Sequence, residues 1–223
     1  ACCLIILLFV QEELSYDSFH ENAARLYRVN VNYVSADGTF SNALSGAPLA
    51  THLLQDIPEV EQAIRFCQPL IDDIMVSYGN RRFYEKRFFH ADPAVFEIFT
   101  LPFIAGDPRT ALRDPFTVVL SESMAKKYFG EENPLGKTIR LEDQQAYQVT
   151  GIMQDLPANA HLHFDFLGSF SSLESTIAEP MQSWMYNPFM TYVLLSKNAS
   201  KIQVEQKLPK FSDKYTAEML GPY

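Results

Sequence analysis

Apolar and polar residues alternate in several short segments of the chain, which is the pattern of half-buried strands. In "RLYRVNVNYV" every second residue is apolar and shares one face of an extended chain: Tyr27, Val29, Val31 and Tyr33. Similar runs predict strands that begin at Val60, Ile74, Ala146, Leu162 and Pro188, with a brief one over residues 116–120. Gly79-Asn80 lies where the run from Ile74 would turn into a hairpin.

Helical spacing separates these runs. Pro48 is placed at the start of a short helix that ends before Pro58, and Asp92-Pro93 open another that runs through Phe99. A last helix is predicted from an apolar stripe that Pro209 interrupts, so that this helix kinks or begins again there: Val204, Leu208, Phe211 and Tyr215. Strands and helices are interleaved without regular alternation, which predicts an α+β fold with mixed sheets and packed helices.

The order of elements also predicts two lobes. We expect residues 88–149 to form a lobe that is inserted into a domain made from the flanking residues 20–87 and 150–223. Residues 1–19 are then left as a separate N-terminal segment.

That N-terminal segment begins with the uncharged run "ACCLIILLFV". The run is about half as long as the roughly 20 residues that a helix needs to cross a bilayer. A buried helix or strand is one interpretation. We favour the end of a transmembrane helix, with Ala1 to about Val10 at the membrane exit, followed by the polar segment "QEELSYDSFHENA".

The stretch "FGEENPLGKTIR" resembles a phosphate-binding loop, in which four residues separate the glycine from Gly-Lys-Thr. Here five residues separate Gly130 from Gly136. The context is also reversed, because Ser121 or Ser123 caps a predicted helix that Gly130 ends, and a strand follows from Thr138. The pattern therefore predicts a connection from helix to strand and not a nucleotide site.

Composition and charge exclude several functions. The chain has 223 residues, is 47% hydrophobic and carries a formal net charge of −9, which is typical of a globular protein but not of one that binds nucleic acid or an anionic membrane surface. No nucleophile elbow is present, and no catalytic triad follows from the spacing of Ser, Cys and His. We therefore predict no catalytic residue and no cofactor.

Two local clusters leave alternatives open. In "AHLHFDF", His161, His163 and Asp165 would share one face of a strand, either as metal ligands or as an ordinary polar face in water. The segment "SWMYNPFMTY" forms either a contact patch or part of a core, through five residues: Trp184, Met185, Tyr186, Phe189 and Met190.

Three longer strings together resemble one protein family: "VQEELSYDSFHENAARLYRV", "LPFIAGDPRTALRDPFTVVLSESMAKKYFGEENPLGKTI" and "VTGIMQDLPANAHLHFDF". They are similar to the extracytoplasmic core domain of MacB/FtsX-type ABC transporter permeases, over nearly the whole chain. The resemblance implies a two-lobed domain that follows a first transmembrane helix in a bacterial cytoplasmic membrane and faces the periplasm or the cell exterior. It also implies that the lobe made from residues 20–87 and 150–223 is porter-like, that is, similar to the porter modules of efflux pumps, and that residues 88–149 are the inserted lobe.

The same resemblance implies partners and a function. ATP hydrolysis belongs to a separate cytoplasmic ATPase, whose motion the permease transmits to export or mechanical work outside the membrane. A second permease copy and a partner in the periplasm are implied as well. Two other functions remain as alternatives, which are a membrane-anchored sensory or ligand-binding domain and a metal hydrolase that uses His161, His163 and Asp165.

Overall fold

The computed structural model describes residues 2–35, 38–69 and 73–220, so that Ala1 and residues 221–223 of the predicted segments lie outside it. The α-helices are α1 Cys2–Ser15, α2 Pro48–Asp56, α3 Val95–Ile98, α4 Glu122–Phe129, α5 Phe170–Thr176 and α6 Lys201–Leu220. The strands are β1 Leu26–Val29, β2 Val31–Ser35, β3 Gly38–Asn42, β4 Val60–Cys67, β5 Ile74–Tyr78, β6 Arg81–Glu85, β7 Phe88–Ala91, β8 Phe103–Gly106, β9 Thr117–Ser121, β10 Thr138–Leu141, β11 Gln145–Met153, β12 Phe166–Ser169 and β13 Phe189–Leu195. The predicted α+β class is confirmed.

The chain divides into two compact units. The first unit comprises Ala1–Ala23 with Gln68–Ser175, and the second comprises Ala24–Cys67 with Thr176–Tyr223. The segment predicted as an inserted lobe, residues 88–149, covers only the middle of the first unit. Its predicted end lies inside β11, which is one uninterrupted strand. The assignment of residues 20–87 and 150–223 to a porter-like lobe stays a prediction.

The first unit is built on a mixed sheet. Its strands are paired in the order β7, β12, β9, β11, β10, β5 and β6, and β8 pairs with β11. The pairs β7 with β12 and β9 with β11 are parallel, and the other pairs are antiparallel. Buried apolar side chains from the sheet and from α4 form one core, which includes Phe88, Val118, Tyr128, Ile139 and Phe166.

The second unit contains three antiparallel strands that are paired in the order β1, β13 and β4. Helices α2 and α6 contribute to its core through residues that include Leu49, Leu53, Val204, Phe211 and Tyr215. Strands β2 and β3 form a separate two-stranded hairpin. The predicted apolar stripe of the last helix is thus confirmed. However, α6 continues through Pro209 as one element, so a helix that begins again at this proline is wrong.

The single strand predicted across residues 25–34 is two strands. β1 pairs with β13, whereas β2 pairs with β3, so the chain leaves one sheet for the other at Asn30. Both halves alternate in the same way, because alternation reports that one face is more polar than the other and not which strand is the neighbour.

Helix α4 has the ends that the sequence predicts. Ser121 is its N-cap, and the Ser121 hydroxyl accepts a hydrogen bond from the Met124 N–H at 3.4 Å. Gly130 ends the helix with a φ of 64°, a value that glycine adopts without strain. Strand β10 then starts at Thr138. The order of helix, connection and strand is therefore confirmed, and it is the reverse of the order around a phosphate-binding loop.

We expect the substitution Ser121→Ala to lower the free energy of unfolding by about 1 kcal/mol, because it removes the acceptor that satisfies a helix N-terminal amide. Urea unfolding of the variant and the wild type measures the difference. Ser41→Ala is the matched control, since Ser41 is exposed on β3 and caps no helix. Equal losses in the two variants would contradict a capping role for Ser121.

Candidate functional site at the end of the N-terminal helix

Helix α1 exposes apolar side chains. Those of residues 5–10 are between 43% and 66% exposed, and they are Ile5, Ile6, Leu7, Leu8, Phe9 and Val10. The helix has 14 residues. Among the described residues, no helix combines the length and the hydropathy needed to cross a membrane.

The segment that follows α1 is fixed to a loop of the first unit through Asp17. The Asp17 N–H donates to the Asn159 carbonyl oxygen at 2.9 Å, and Asp17 Oδ1 accepts from the His161 N–H at 2.9 Å. Asp17 Oδ2 lies 2.7 Å from Nδ1 of the His161 ring. Asp17 has a φ of 56°, which is uncommon for a residue other than glycine and places its backbone and side chain toward the same loop.

Asn159 extends these contacts to the end of α1. Its side-chain Nδ2 donates to the Ser15 carbonyl oxygen at 2.8 Å and approaches the Ser15 hydroxyl at 3.3 Å. The Ser15 carbonyl group, which has no partner inside the helix, thereby gains a hydrogen bond from a loop residue of the first unit. The last residue of α1 is thus attached directly to the loop around Asn159.

A second loop, at Phe99 and Thr100, binds His20. The His20 ring is buried, and its Nδ1 accepts the Thr100 N–H at 3.1 Å. In return, the Glu21 N–H donates to the Thr100 hydroxyl at 2.8 Å. Asn22 adds side-chain bonds at 3.2 Å to the carbonyl oxygens at the end of α3. We call the whole set the junction: Ser15, Asp17, His20, Glu21, Asn22, Thr100, Asn159 and His161.

The His20 ring is neutral in this arrangement. Because Nδ1 accepts a backbone N–H, the ring proton lies on Nε2, which is 4.0 Å from Asp17 Oδ1. Burial lowers the pKa of His20 below its ordinary value, and the nearby His161 lowers it further, while the Asp17 carboxylate opposes both. The Phe99 ring packs edge-on against His20 at 5.0 Å between centroids.

The histidines and the aspartate predicted as possible metal ligands are not brought together. The strand predicted from Leu162 begins at Phe166, so His161, His163 and Asp165 precede it and do not share a strand face. The predicted strand face is therefore wrong, because residues 161–165 are not part of a strand, and two of the three side chains have partners elsewhere in the first unit. Asp165 accepts a hydrogen bond from Arg87 Nε at 2.9 Å, and His161 pairs with Asp17.

The charge on Asp165 has two opposing influences. Burial raises the pKa of the Asp165 carboxyl above its ordinary value, and the Arg87 guanidinium opposes the rise. Within residues 2–35, 38–69 and 73–220, no group of three His, Cys, Asp or Glu side chains is placed to hold a metal ion.

The predicted contact patch in the second unit separates into buried and exposed members. Phe189 is fully buried on β13, and the Tyr186 ring packs edge-on against it at 5.7 Å. Trp184 is partly buried and stacks on the His52 ring at 5.5 Å. Met185 is 73% exposed. Core packing therefore accounts for Phe189, and a contact role for Trp184, Met185, Tyr186 and Met190 stays a prediction.

Sequence reasoning did not single out the junction as a site. Its members come from three segments of the chain, with bonded pairs 79, 80 and 144 residues apart, and no periodicity relates Asp17 to Asn159 or His161. The available signal was indirect, because "SYDSFH" and "NAHLH" both belong to the strings that carry the family resemblance. Both strings place polar side chains beside apolar ones, and polar groups that become buried are hydrogen-bonded.

The fold of this chain is that of extracytoplasmic domains of bacterial permeases. A domain of a permease protein from Porphyromonas gingivalis is 24% identical and superposes with a TM-score of 0.73, covering 88% of this chain and 83% of that one. The periplasmic region of MacB from Actinobacillus actinomycetemcomitans is 18% identical with a TM-score of 0.58, covering 74% and 71%. The extracellular domain of the ABC-type transporter YknZ from Gram-positive bacteria is 15% identical with a TM-score of 0.56, covering 86% and 93%.

The family assignment follows from a family model. Residues 1–211 match the model of the MacB-like periplasmic core domain, and the chain belongs to this family. The predicted resemblance is therefore confirmed. The family is one of transporter permease domains and is not a known class of enzymes. Among curated protein sequences, none is significantly similar to this chain.

Proposed function

We propose that this domain couples motion driven by a separate cytoplasmic ATPase to export or mechanical work outside the membrane. The observation that carries the proposal is the family match over residues 1–211, together with relatives that are named as parts of permeases and of an ABC-type transporter. The cognate ATPase, a second permease copy and a partner outside the membrane belong to the same proposal.

The proposal places α1 at the end of a membrane-embedded helix of a bacterial cytoplasmic membrane. Its apolar side chains at residues 5–10 are exposed in a row of consecutive positions, around the whole circumference of the helix. A surface helix of a soluble domain instead has a polar face toward water. The hydrocarbon core of a lipid bilayer would shield these side chains from water without a protein partner.

The junction is the set of contacts through which α1 would move the rest of the first unit, residues 68–175. A carbonyl group at the end of α1 is held by Asn159, and the next residues are held by loops at both 97–100 and 159–161. Several short bonds to two separate loops resist both bending and rotation of the segment. Motion of α1 would therefore be passed on as motion of a rigid body.

The test uses the full-length permease and its ATPase in lipid nanodiscs. A spin-labelled non-natural amino acid replaces Lys126, which is exposed on α4, and pulsed EPR measures the distance between the labels of two copies with and without ATP. The double variant Asp17→Ala, Asn159→Ala loosens the junction. We expect it to hydrolyse ATP while the change in distance becomes smaller than in the wild type.

The matched control is Asp143→Ala, which removes an ion pair to Arg82 and a hydrogen bond from the Ser77 hydroxyl elsewhere in the first unit. It is expected to retain the full change in distance. A loosened junction with the full change would show that the motion does not pass through the junction. If the distance between the labels of the wild type does not change with ATP, the proposed coupling function is itself contradicted.

A further inference from the structure

We propose that His20 makes the junction sensitive to protons, and that uptake of one proton by its ring releases the segment after α1 from the loop at Phe99 and Thr100. This response is a property of the first unit alone. It does not depend on the coupling function proposed above.

The hydrogen bonds of His20 leave no place for a second ring proton. Nδ1 already accepts the Thr100 N–H at 3.1 Å. A proton on Nδ1 would point a donor at a donor, and both groups would lose their partner in a buried place. Because the Glu21 N–H bonds the hydroxyl of the same Thr100, a shift of this loop also breaks the reciprocal bond.

The groups around the ring explain why the response is assigned to His20. From its own segment, the ring faces the Asp17 carboxylate and the Phe19 ring. The loop after α3 contributes the Phe99 ring and the Thr100 amide, neither of which titrates in this range. The loop at residues 159–161 contributes His161, whose ring is bonded to Asp17. The Asp17 carboxylate therefore lies near both imidazole rings, and a charged His161 would repel a charged His20.

The direction of the response follows from the pKa of His20, which is lowered in the closed junction by burial. When the segment is released, the ring meets water and regains its ordinary pKa of about 6.5. The released form therefore binds the proton first as the pH falls. The closed junction is most stable above about pH 6.5 and is progressively lost below it.

The experiment measures backbone hydrogen exchange of the segment that covers residues 15–22 and of the Thr100 amide, in the whole chain and in detergent, between pH 7.5 and 5.5. After correction for the intrinsic pH dependence of exchange, we expect protection to fall by up to about tenfold. The reason is that the ratio of closed to open forms falls at most tenfold for each pH unit below about 6.5. Amides of β11 in the same unit serve as the internal reference.

Two variants separate His20 from its neighbour. His20→Asn keeps an acceptor at the place of Nδ1 but cannot take up a proton, so its protection is expected to be independent of pH. His161→Asn keeps a donor toward Asp17 and leaves His20 in place, so the response is expected to remain. A response that persists in His20→Asn, or that disappears in His161→Asn alone, would overturn the proposal.

A measurement on the wild type tests the same proposal even if a variant does not fold. Nitrogen-15 NMR of the imidazole rings distinguishes the two tautomers and the charged ring. We expect the His20 ring to carry its proton on Nε2 at pH 7.5 and to become charged over the same pH range in which protection of the Thr100 amide is lost. A His20 ring that becomes charged while Thr100 keeps its protection would contradict the proposal.

Discussion

Gly106→Ala is expected to lower the free energy of unfolding by about 2–5 kcal/mol, the sum of a left-handed backbone cost and of overpacking. Gly106 has a φ of 94°, and a Cβ atom there would lie 2.4 Å from the Thr150 carbonyl oxygen and 2.9 Å from Gly151 Cα. Both atoms belong to the backbone of β11, which pairs with β8 at this point. The backbone cannot move away without breaking that pair.

The matched control for Gly106 is Gly79→Ala. Gly79 also has a positive φ, of 56°, but no atom lies within 4 Å of the place of its Cβ. We expect a loss of about 1–2 kcal/mol, which is the cost of the backbone conformation alone. Urea unfolding followed by far-ultraviolet circular dichroism measures both variants. Similar losses at the two glycines would show that the contact with β11 carries no cost.

The second large effect is a loss of stability in acid that is due to His90. Burial lowers the pKa of His90 to about 4, from an ordinary value of 6.5. The unfolded chain therefore binds a proton below about pH 6.5, whereas the folded chain binds it only near pH 4. Stability is complete above pH 6.5 and falls as the pH drops toward 4, by about 3 kcal/mol in total, at about 1.4 kcal/mol for each pKa unit.

Two variants test the cause of this acid effect. His90→Gln is expected to be less stable than the wild type at pH 7.5, and the difference is expected to shrink as the pH falls, because only the wild type has an unfolded state that is stabilised by protonation of His90. Tyr147→Phe removes the hydroxyl that lies 3.0 Å from His90 Nε2 but leaves the ring buried. It is expected to keep the pH dependence of the wild type. A constant difference between His90→Gln and the wild type would mean that His90 does not titrate in this range.

Elements whose ends carry chemical signals were predictable from the sequence. The cap at Ser121 and the glycine at Gly130 define α4, and Pro48 marks the start of α2. These signals are local, because a cap or a proline acts on backbone groups within one helical turn. The class of the fold follows from the order of such elements.

Features that depend on partners far along the chain were not predictable in this way. The break at Asn30 depends on β13 and β3 as different neighbours, and the late start of β12 at Phe166 places His161 in a loop, where it contacts Asp17. The junction depends on pairs 144 residues apart. Periodicity reports which face of an element is apolar, but it does not report which element covers that face.

The position of Trp184 makes the second unit optically distinct. It is the single tryptophan of the chain, and it lies in the second unit beside His52 and Tyr215. Indole emission therefore follows unfolding of the second unit alone, whereas circular dichroism follows both units. Unfolding curves from the two signals will coincide if the units melt as one cooperative block and separate if they melt independently. The natural sequence thus carries its own unlabelled reporter of domain cooperativity.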